Sequence, residues 1–146
     1  MDIALGLLAV VILVVGQAFY VAGEFALVAI NREGLEKEAE SGSKKAASIL
    51  DAVRNLSFQL SGAQLGITVT SLVLGFIAEP TIAEVIEPLL DGAGLPESSS
   101  HGVAIAIALA IATAAQMVFG ELVPKNLAIA RAPQVARRTI PALKLH

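Results

Sequence analysis

The sequence has no cysteine and no tryptophan, and its 146 residues include one tyrosine and five phenylalanines. Without cysteine there is no disulfide framework and no thiolate that acts as a nucleophile or as a ligand for a soft metal. The ten lysines and arginines are confined to two blocks, with few aromatic residues among them. Nucleic-acid binding needs a basic face with interleaved aromatic residues, so we expect no nucleic-acid partner.

Lysine and arginine are absent from residues 1–31 and 55–124, and these stretches also hold the long apolar runs. The hydrophobic fraction of 55% is above the norm for soluble domains, and the charged fraction of 16% is below it. The mean hydropathy of +0.75 points the same way. Basic loops stay in the cytoplasm during membrane insertion. The pattern therefore predicts a multi-pass protein of the inner or plasma membrane, in contact with the lipid bilayer, with its N-terminus outside and its C-terminus cytoplasmic.

Three apolar runs predict three transmembrane helices, at about residues 3–30, 58–78 and 103–123. Roughly 20 helical residues cross the hydrocarbon core, so each run is long enough. The first run is too long for a cleaved signal peptide and has no basic residue before it. Pro80 is expected to end or kink the second helix, because proline lacks the amide hydrogen that a helix requires. The predicted fold class is an all-α integral membrane protein.

The two basic blocks predict helices outside the membrane. Residues 32–56 are rich in glutamate, lysine and alanine and are interrupted by a Ser-Gly-Ser break, which predicts an amphipathic helical hairpin at the cytoplasmic surface. Residues 132–146 predict a basic juxtamembrane helix. The acid-rich stretch 79–101 is expected to be an external loop with a short helix at 82–90. The sequence stops at His146 without a natural-looking terminus, which suggests a fragment of a longer protein.

Ionisable residues inside the predicted spans are the first candidates for a functional site, because a charge in the hydrocarbon region is expensive. Glu24 and Glu121 meet this condition. Pro124 cannot donate a hydrogen bond to the carbonyl of Gly120, so a free carbonyl is expected beside the Glu121 carboxylate. Carbonyl and carboxylate oxygens are the ligands that magnesium prefers. The alternative is that each carboxylate lies near the interface, within reach of water or of a basic residue.

Polar residues also follow one face of the second predicted span, at spacings of three or four residues. They are Ser61, Gln64, Thr68, Ser71, Gly75 and Glu79. Gln17 and Glu24 share a face of the first span. The alternative is that these residues only join helices through hydrogen bonds, which is least favoured for Thr68 and Ser71 because they lie deeper in the span.

Motifs of common enzymes are missing from the sequence. It has no Ser-His-Asp set, no Walker loop and no dinucleotide fingerprint. The histidines are His101 and His146, so the spans offer no paired imidazoles for zinc. We therefore expect an ion pathway rather than an enzyme; an intramembrane enzyme and a soluble helical bundle are the disfavoured alternatives.

Three motifs in order along the chain, GEFALV at 23–28, QLGIT at 64–68 and GELVPK at 120–125, resemble the transmembrane domain of the CNNM/CorC family of magnesium transporters, also called hemolysin-C-like. The resemblance covers residues 1–146. It implies three spans, a cytoplasmic hairpin, a juxtamembrane helix and a homodimer. Full-length members continue into cytosolic CBS domains, which these 146 residues do not include.

The resemblance also assigns a set of ligands. Glu121 matches the metal-coordinating glutamate of the family's third helix, and Thr68 and Ser71 fall where other members carry polar ligands. On the first helix the family has Ser-Gly-Ser-Glu where this chain reads Val-Ala-Gly-Glu at 21–24, so that turn offers only backbone carbonyls or its glutamate. The predicted metal ligands are Glu121, Ser71, Thr68, Gly120 and Glu24.

We therefore predict that the domain transports divalent cations through an oxygen-ligand site, by magnesium export coupled to sodium. The alternative is a membrane anchor that transports nothing and positions regulatory cytosolic CBS domains. The two missing serines of the first helix would be the sequence signature of such an anchor.

Overall fold

A computed structural model describes residues 2–144, and within them the protein is helical without a strand. The predicted all-α class is therefore confirmed. Met1, Leu145 and His146 lie outside the described residues, and so does the end of the predicted juxtamembrane segment. The elements are α1 (Ile3–Ala29), α2 (Arg32–Glu40), α3 (Lys44–Arg54), α4 (Leu56–Gly92), α5 (Glu97–Ala115), a π-helical segment (Gln116–Leu122), α6 (Val123–Ala130) and α7 (Ala132–Leu143).

Three helices are long and apolar enough to cross a membrane, namely Ile3–Ala29, Leu56–Gly92 and Ser98–Ala130. The third consists of α5, the π-helical segment and α6 without a break. In the most apolar window of each helix only 11% of the residues are buried inside the protein. Most of these apolar side chains therefore face outward, as is expected of helices in lipid, and the prediction of a multi-pass membrane protein is confirmed.

The second membrane helix is longer than the sequence predicted. Of the two outcomes expected at Pro80, an end or a kink, the end does not occur, since α4 continues through this proline. The separate helix expected at 82–90 is the last part of α4. Ala83 is buried there against Ala104 and Ala108 of α5. Small side chains let α4 and α5 pack closely just beyond the proline.

Helix α1 contacts α4, the π-helical segment, α6 and α7. The Tyr20 ring of α1 lies against Gly66 of α4. A Cβ atom built on Gly66 would lie 2.5 Å from Cε1 of Tyr20, a distance at which atoms overlap. The absence of a side chain at Gly66 therefore sets how closely α1 and α4 pack.

The short helices α2 and α3 pack against each other as a hairpin. Gly42 adopts a φ of +98° between them, a left-handed conformation that favours glycine. The Ser43 hydroxyl then accepts a hydrogen bond from the amide of Ala46 at 3.3 Å and caps α3. The break predicted from the Ser-Gly-Ser sequence is therefore present.

The main hydrophobic core lies at the hairpin end of the bundle, where α1, α2, α3, α6 and α7 meet. Ile49 of α3 and Ile140 of α7 are the largest fully buried side chains of this core.

Two ion pairs join the C-terminal segment that contains α7 to the hairpin. Arg137 contacts the Glu38 carboxylate at 2.6 Å, and the Lys144 ammonium lies 2.7 Å from the Asp51 carboxylate.

The contact between Tyr20 and Gly66 can be tested with two alanine substitutions in α4. Both Gly66→Ala and Gly75→Ala raise helix propensity by a similar amount, but nothing lies within 4 Å of a Cβ at Gly75. Gly66→Ala should destabilise the purified domain by about 1–3 kcal/mol through overpacking, whereas Gly75→Ala should leave its melting temperature equal or higher. Equal melting temperatures for the two variants, measured in detergent by circular dichroism, would contradict the close contact.

Candidate functional site

Glu121 lies in the π-helical segment of the third membrane helix. Just after Glu121, the amide of Val123 donates to the carbonyl of Val118, five residues earlier instead of four. Pro124 follows at once and has no amide hydrogen, so the ordinary α-helical bonding pattern cannot continue unchanged through this point. A π-helical turn widens the helix and is frequent at functional sites. The sequence indicated a local disturbance here but not its form.

The carboxylate of Glu121 is held by a glutamine from α1. Gln17 has no exposed surface, and its Nε2 donates a hydrogen bond to Oε1 of Glu121 at 3.3 Å. A Cβ atom on Gly120 would lie 3.2 Å from Cδ of Gln17, so glycine at this position makes room for the buried amide. The structure thus brings Gly120 and Glu121 together with Gln17, while the carbonyl of Gly120 as a metal ligand stays a prediction.

The other end of the same amide has no partner. Oε1 of Gln17 is buried and accepts no hydrogen bond from any described residue. Nearly all buried polar groups in proteins are hydrogen-bonded, so an unpaired one is informative. The sequence pattern places Gln17 on the face of Glu24, but Gln17 is not among the five predicted ligands. Its partner lies 104 residues away, and helical periodicity does not report contacts between distant segments.

Glu24 and Thr68 line one cleft between α1 and α4, an open space of about 560 Å³ that Ser61 and Gln64 also line. The Thr68 hydroxyl donates to the carbonyl of Gln64 at 2.9 Å, which leaves its oxygen lone pairs for another partner. Glu24 is half-buried. Two of the predicted ligands therefore share this surface, together with two further residues of the polar stripe.

Ser71 does not line the cleft that contains Glu24 and Thr68. It lines a cleft of about 550 Å³ between α4 and the third membrane helix, beside Glu79, Thr113 and Gln116. Neither this cleft nor the one at Glu24 is lined by Glu121. The five predicted ligands thus lie in three places in this structure.

Lys125 follows Glu121 by four residues, the spacing that favours an ion pair on a helix. The structure instead places the Lys125 ammonium 4.7 Å from the centre of the Phe25 ring, a cation–π contact with α1.

Within residues 2–144 no group of three or more histidine, cysteine, aspartate or glutamate side chains is arranged to hold a metal ion. A cation in this part of the chain would therefore depend largely on amide, hydroxyl and carbonyl oxygens.

The turn of α1 that precedes Glu24 is a packing surface. Val21 and Ala22 are buried, with 4% and 9% of their surfaces exposed. Gly23 lies against Leu143 and Thr139 of α7, and a Cβ at Gly23 would lie 3.5 Å from the Thr139 hydroxyl oxygen and would overlap Leu143. Residues 21–23 thus contribute helix contacts, and no side-chain oxygen, to this part of the structure.

Curated bacterial proteins are similar to nearly the whole chain. UPF0053 protein MT1890 of Mycobacterium tuberculosis (strain CDC 1551 / Oshkosh) is 42% identical over 139 residues, which are 95% of this chain and 30% of that protein. UPF0053 protein YhdT of Bacillus subtilis (strain 168) is 37% identical over 145 residues, covering 99% of this chain and 32% of the relative. UPF0053 protein YugS of the same organism is 39% identical over 132 residues, covering 90% and 31%.

The chain spans less than a third of the length of these relatives. The family profile described as the cyclin M transmembrane N-terminal domain, CNNM, matches residues 8–146. A match over this share of the sequence, together with three helices that can span a membrane, shows that the chain belongs to the CNNM (UPF0053) family as its membrane domain.

Proposed function

We propose that this domain transports divalent cations, with magnesium as the cargo. The observation that carries the proposal is the Glu121 carboxylate, which lies in a π-helical turn of an apolar helix and is held by the fully buried Gln17. An ionisable group on such a helix marks an ion path by default, and irregular helical turns recur at functional sites. Membership of the CNNM family supports a role in cation transport.

In the proposed mechanism Glu121 supplies the charge that attracts the cation, and neutral oxygens replace part of its water shell. Thr68 and Ser71 supply these oxygens from α4, and Glu24 adds a second carboxylate on α1. These side chains line separate surfaces in this structure. A state that binds the cation with all of them therefore requires α4 to move relative to α1 and to the third helix. Weak binding by few charges suits transport, because the ion must also leave.

We further propose export coupled to sodium, in a homodimer. The positive-inside rule supports a cytoplasmic hairpin and an external N-terminus. Glu121 then lies near the cytoplasmic end of the third span. The stretch between the second and third spans contains five acidic residues and no lysine or arginine, and these acidic residues would receive a cation on the outer side.

Replacing the carboxylate of Glu121 by an amide tests the assignment. Glu121→Gln keeps the size of the side chain but removes the charge. The apparent affinity of the purified domain for magnesium, measured from thermal stabilisation, should therefore fall at least tenfold, as when a metal ligand or its support is lost. Magnesium flux in proteoliposomes should fall with it. Glu36→Gln, on the exposed surface of α2, is the matched control and should behave as the unmodified protein. Unchanged binding and flux in Glu121→Gln would refute the proposed site.

A membrane anchor for cytosolic domains is the second candidate. It is favoured by the buried turn at 21–23, which offers no hydroxyl where the family motif has serines. Isothermal titration of the purified domain with magnesium chloride separates the two. A transporter should give a saturable heat that depends on Glu121, whereas an anchor should give none.

The orientation can be tested with single cysteines, since the chain has none of its own. Ser41→Cys places a thiol in the exposed turn between α2 and α3, and Ser99→Cys places one near the start of α5. In intact cells a membrane-impermeant maleimide should label Ser99→Cys but label Ser41→Cys only after lysis. Labelling of Ser41→Cys in intact cells would reverse the proposed orientation.

A further inference from the structure

The side-chain amide of Gln17 is fully buried and carries a donor, Nε2, and an acceptor, Oε1. Its Nε2 donates to Oε1 of Glu121 at 3.3 Å, and its own Oε1 has no hydrogen-bond partner among residues 2–144. A buried amide oxygen without a donor is unfavourable compared with an apolar side chain of the same shape. The arrangement therefore satisfies the Glu121 carboxylate better than it satisfies Gln17.

The amide lies against Gly120 with its nitrogen and oxygen at similar distances. A Cβ built on Gly120 would lie 3.3 Å from Nε2 and 3.5 Å from Oε1 of Gln17. The two atoms are nearly equal in size, so a half-turn about the last side-chain bond would exchange them within the same volume. That torsion is broad and roughly two-fold in glutamine, so neither orientation is strained.

We propose that Gln17 is an ion-dependent ligand of the Glu121 site, with its amide turning as the cation arrives. In the absence of a cation, the amide hydrogens face the carboxylate and hold it. A cation at Glu121 repels these hydrogens and attracts the amide oxygen, so the preferred orientation reverses and Oε1 becomes a neutral oxygen ligand. Amide and carboxylate oxygens together are a ligand set for magnesium. This inference rests on the proposed function, because it requires a cation at Glu121.

The competing explanation is that Gln17 only joins α1 to the third helix. Interhelical hydrogen bonds of polar side chains have this role in many membrane proteins. The two explanations differ in which state of the protein needs the amide. A joining residue stabilises the protein with or without the ion, whereas the proposed ligand acts on the ion-bound state and leaves an unpaired oxygen in the ion-free state.

Gln17→Leu separates the explanations, because leucine fills a similar volume without donor or acceptor. The melting temperature of the ion-free domain should change little, because the loss of the hydrogen bond to Glu121 is offset by the removal of the unpaired oxygen. The apparent affinity for magnesium chloride, from the shift of that temperature with concentration, should fall about tenfold. Gln134→Leu, at an exposed position of α7, is the control and should change neither quantity. A lower ion-free melting temperature with unchanged magnesium affinity would establish the joining role and overturn the proposal.

A spectroscopic measurement tests the turn of the amide in the unmodified side chain. In protein labelled with ¹⁵N at glutamine side chains, the Gln17 resonance is identified as the signal that is lost in Gln17→Asn. Magnesium chloride should shift this resonance saturably in the otherwise unmodified protein but not in Glu121→Gln. If Glu121→Gln loses magnesium binding and the Gln17 resonance never moves, Gln17 is not a ligand while the proposed function stands. If Glu121→Gln binds magnesium normally, both the proposed function and the role of Gln17 are wrong.

Discussion

Helix α1 packs against three neighbours through glycines, and one of these close contacts positions the amide of Gln17 beside the Glu121 carboxylate. Gly66 of α4 admits the ring of Tyr20, and Gly120 of the third helix admits the amide of Gln17. Gly23 of α1 itself admits the side chain of Leu143 from α7. Between apolar helices in lipid there is little hydrophobic drive for association, so such close van der Waals contact is the main source of packing energy. A Cβ atom would overlap the Tyr20 ring at Gly66 and the end of the Leu143 side chain at Gly23, and at Gly120 it would press on the Gln17 amide, so each neighbouring side chain would have to shift.

The same contacts link the hairpin end of the molecule to the middle of the bundle. Helix α7 is tied to the hairpin by the Arg137–Glu38 and Lys144–Asp51 ion pairs, and it lies against α1 at Gly23, next to Glu24 in the chain. The Arg137–Glu38 pair is exposed and contributes little stability, and the apolar core around Ile140 also packs α7 against the hairpin. A shift of α7 would therefore have to move α1 or open this core, since close-packed contacts do not deform continuously.

Much of the fold was predictable from the sequence, because hydropathy and charge act locally. The apolar runs predict the three membrane helices, and the Ser-Gly-Ser break predicts the hairpin at Gly42. What failed depends on contacts between segments. Proline predicts the end of a helix from its own chemistry, but Pro80 is followed by Ala83, which packs on two alanines of α5, and the helix continues.

The candidate site shows the same limit more sharply. Thr68 and Ser71 appear on one stripe because they are three residues apart, yet that spacing leaves them about 60° apart around a helix with 3.6 residues per turn. The difference is enough for them to line separate clefts. Gln17 was visible as a polar residue in an apolar run, but its bond to Glu121 joins the first membrane helix to the third, and no local pattern encodes that pairing.

Lys125, which follows Glu121 by four residues, contacts an aromatic ring of α1. Glutamate followed by lysine four residues later is the order that a regular helix stabilises as an ion pair. Here the Lys125 ammonium lies over the ring of Phe25 instead, and the partner of Glu121 within the described residues is the neutral amide of Gln17. An amide holds the carboxylate in place without cancelling its charge, whereas a bound ammonium would compete directly with any incoming ion. The geometry thus keeps one negative charge positioned and uncompensated, which is the condition that a site for a transported cation has to meet.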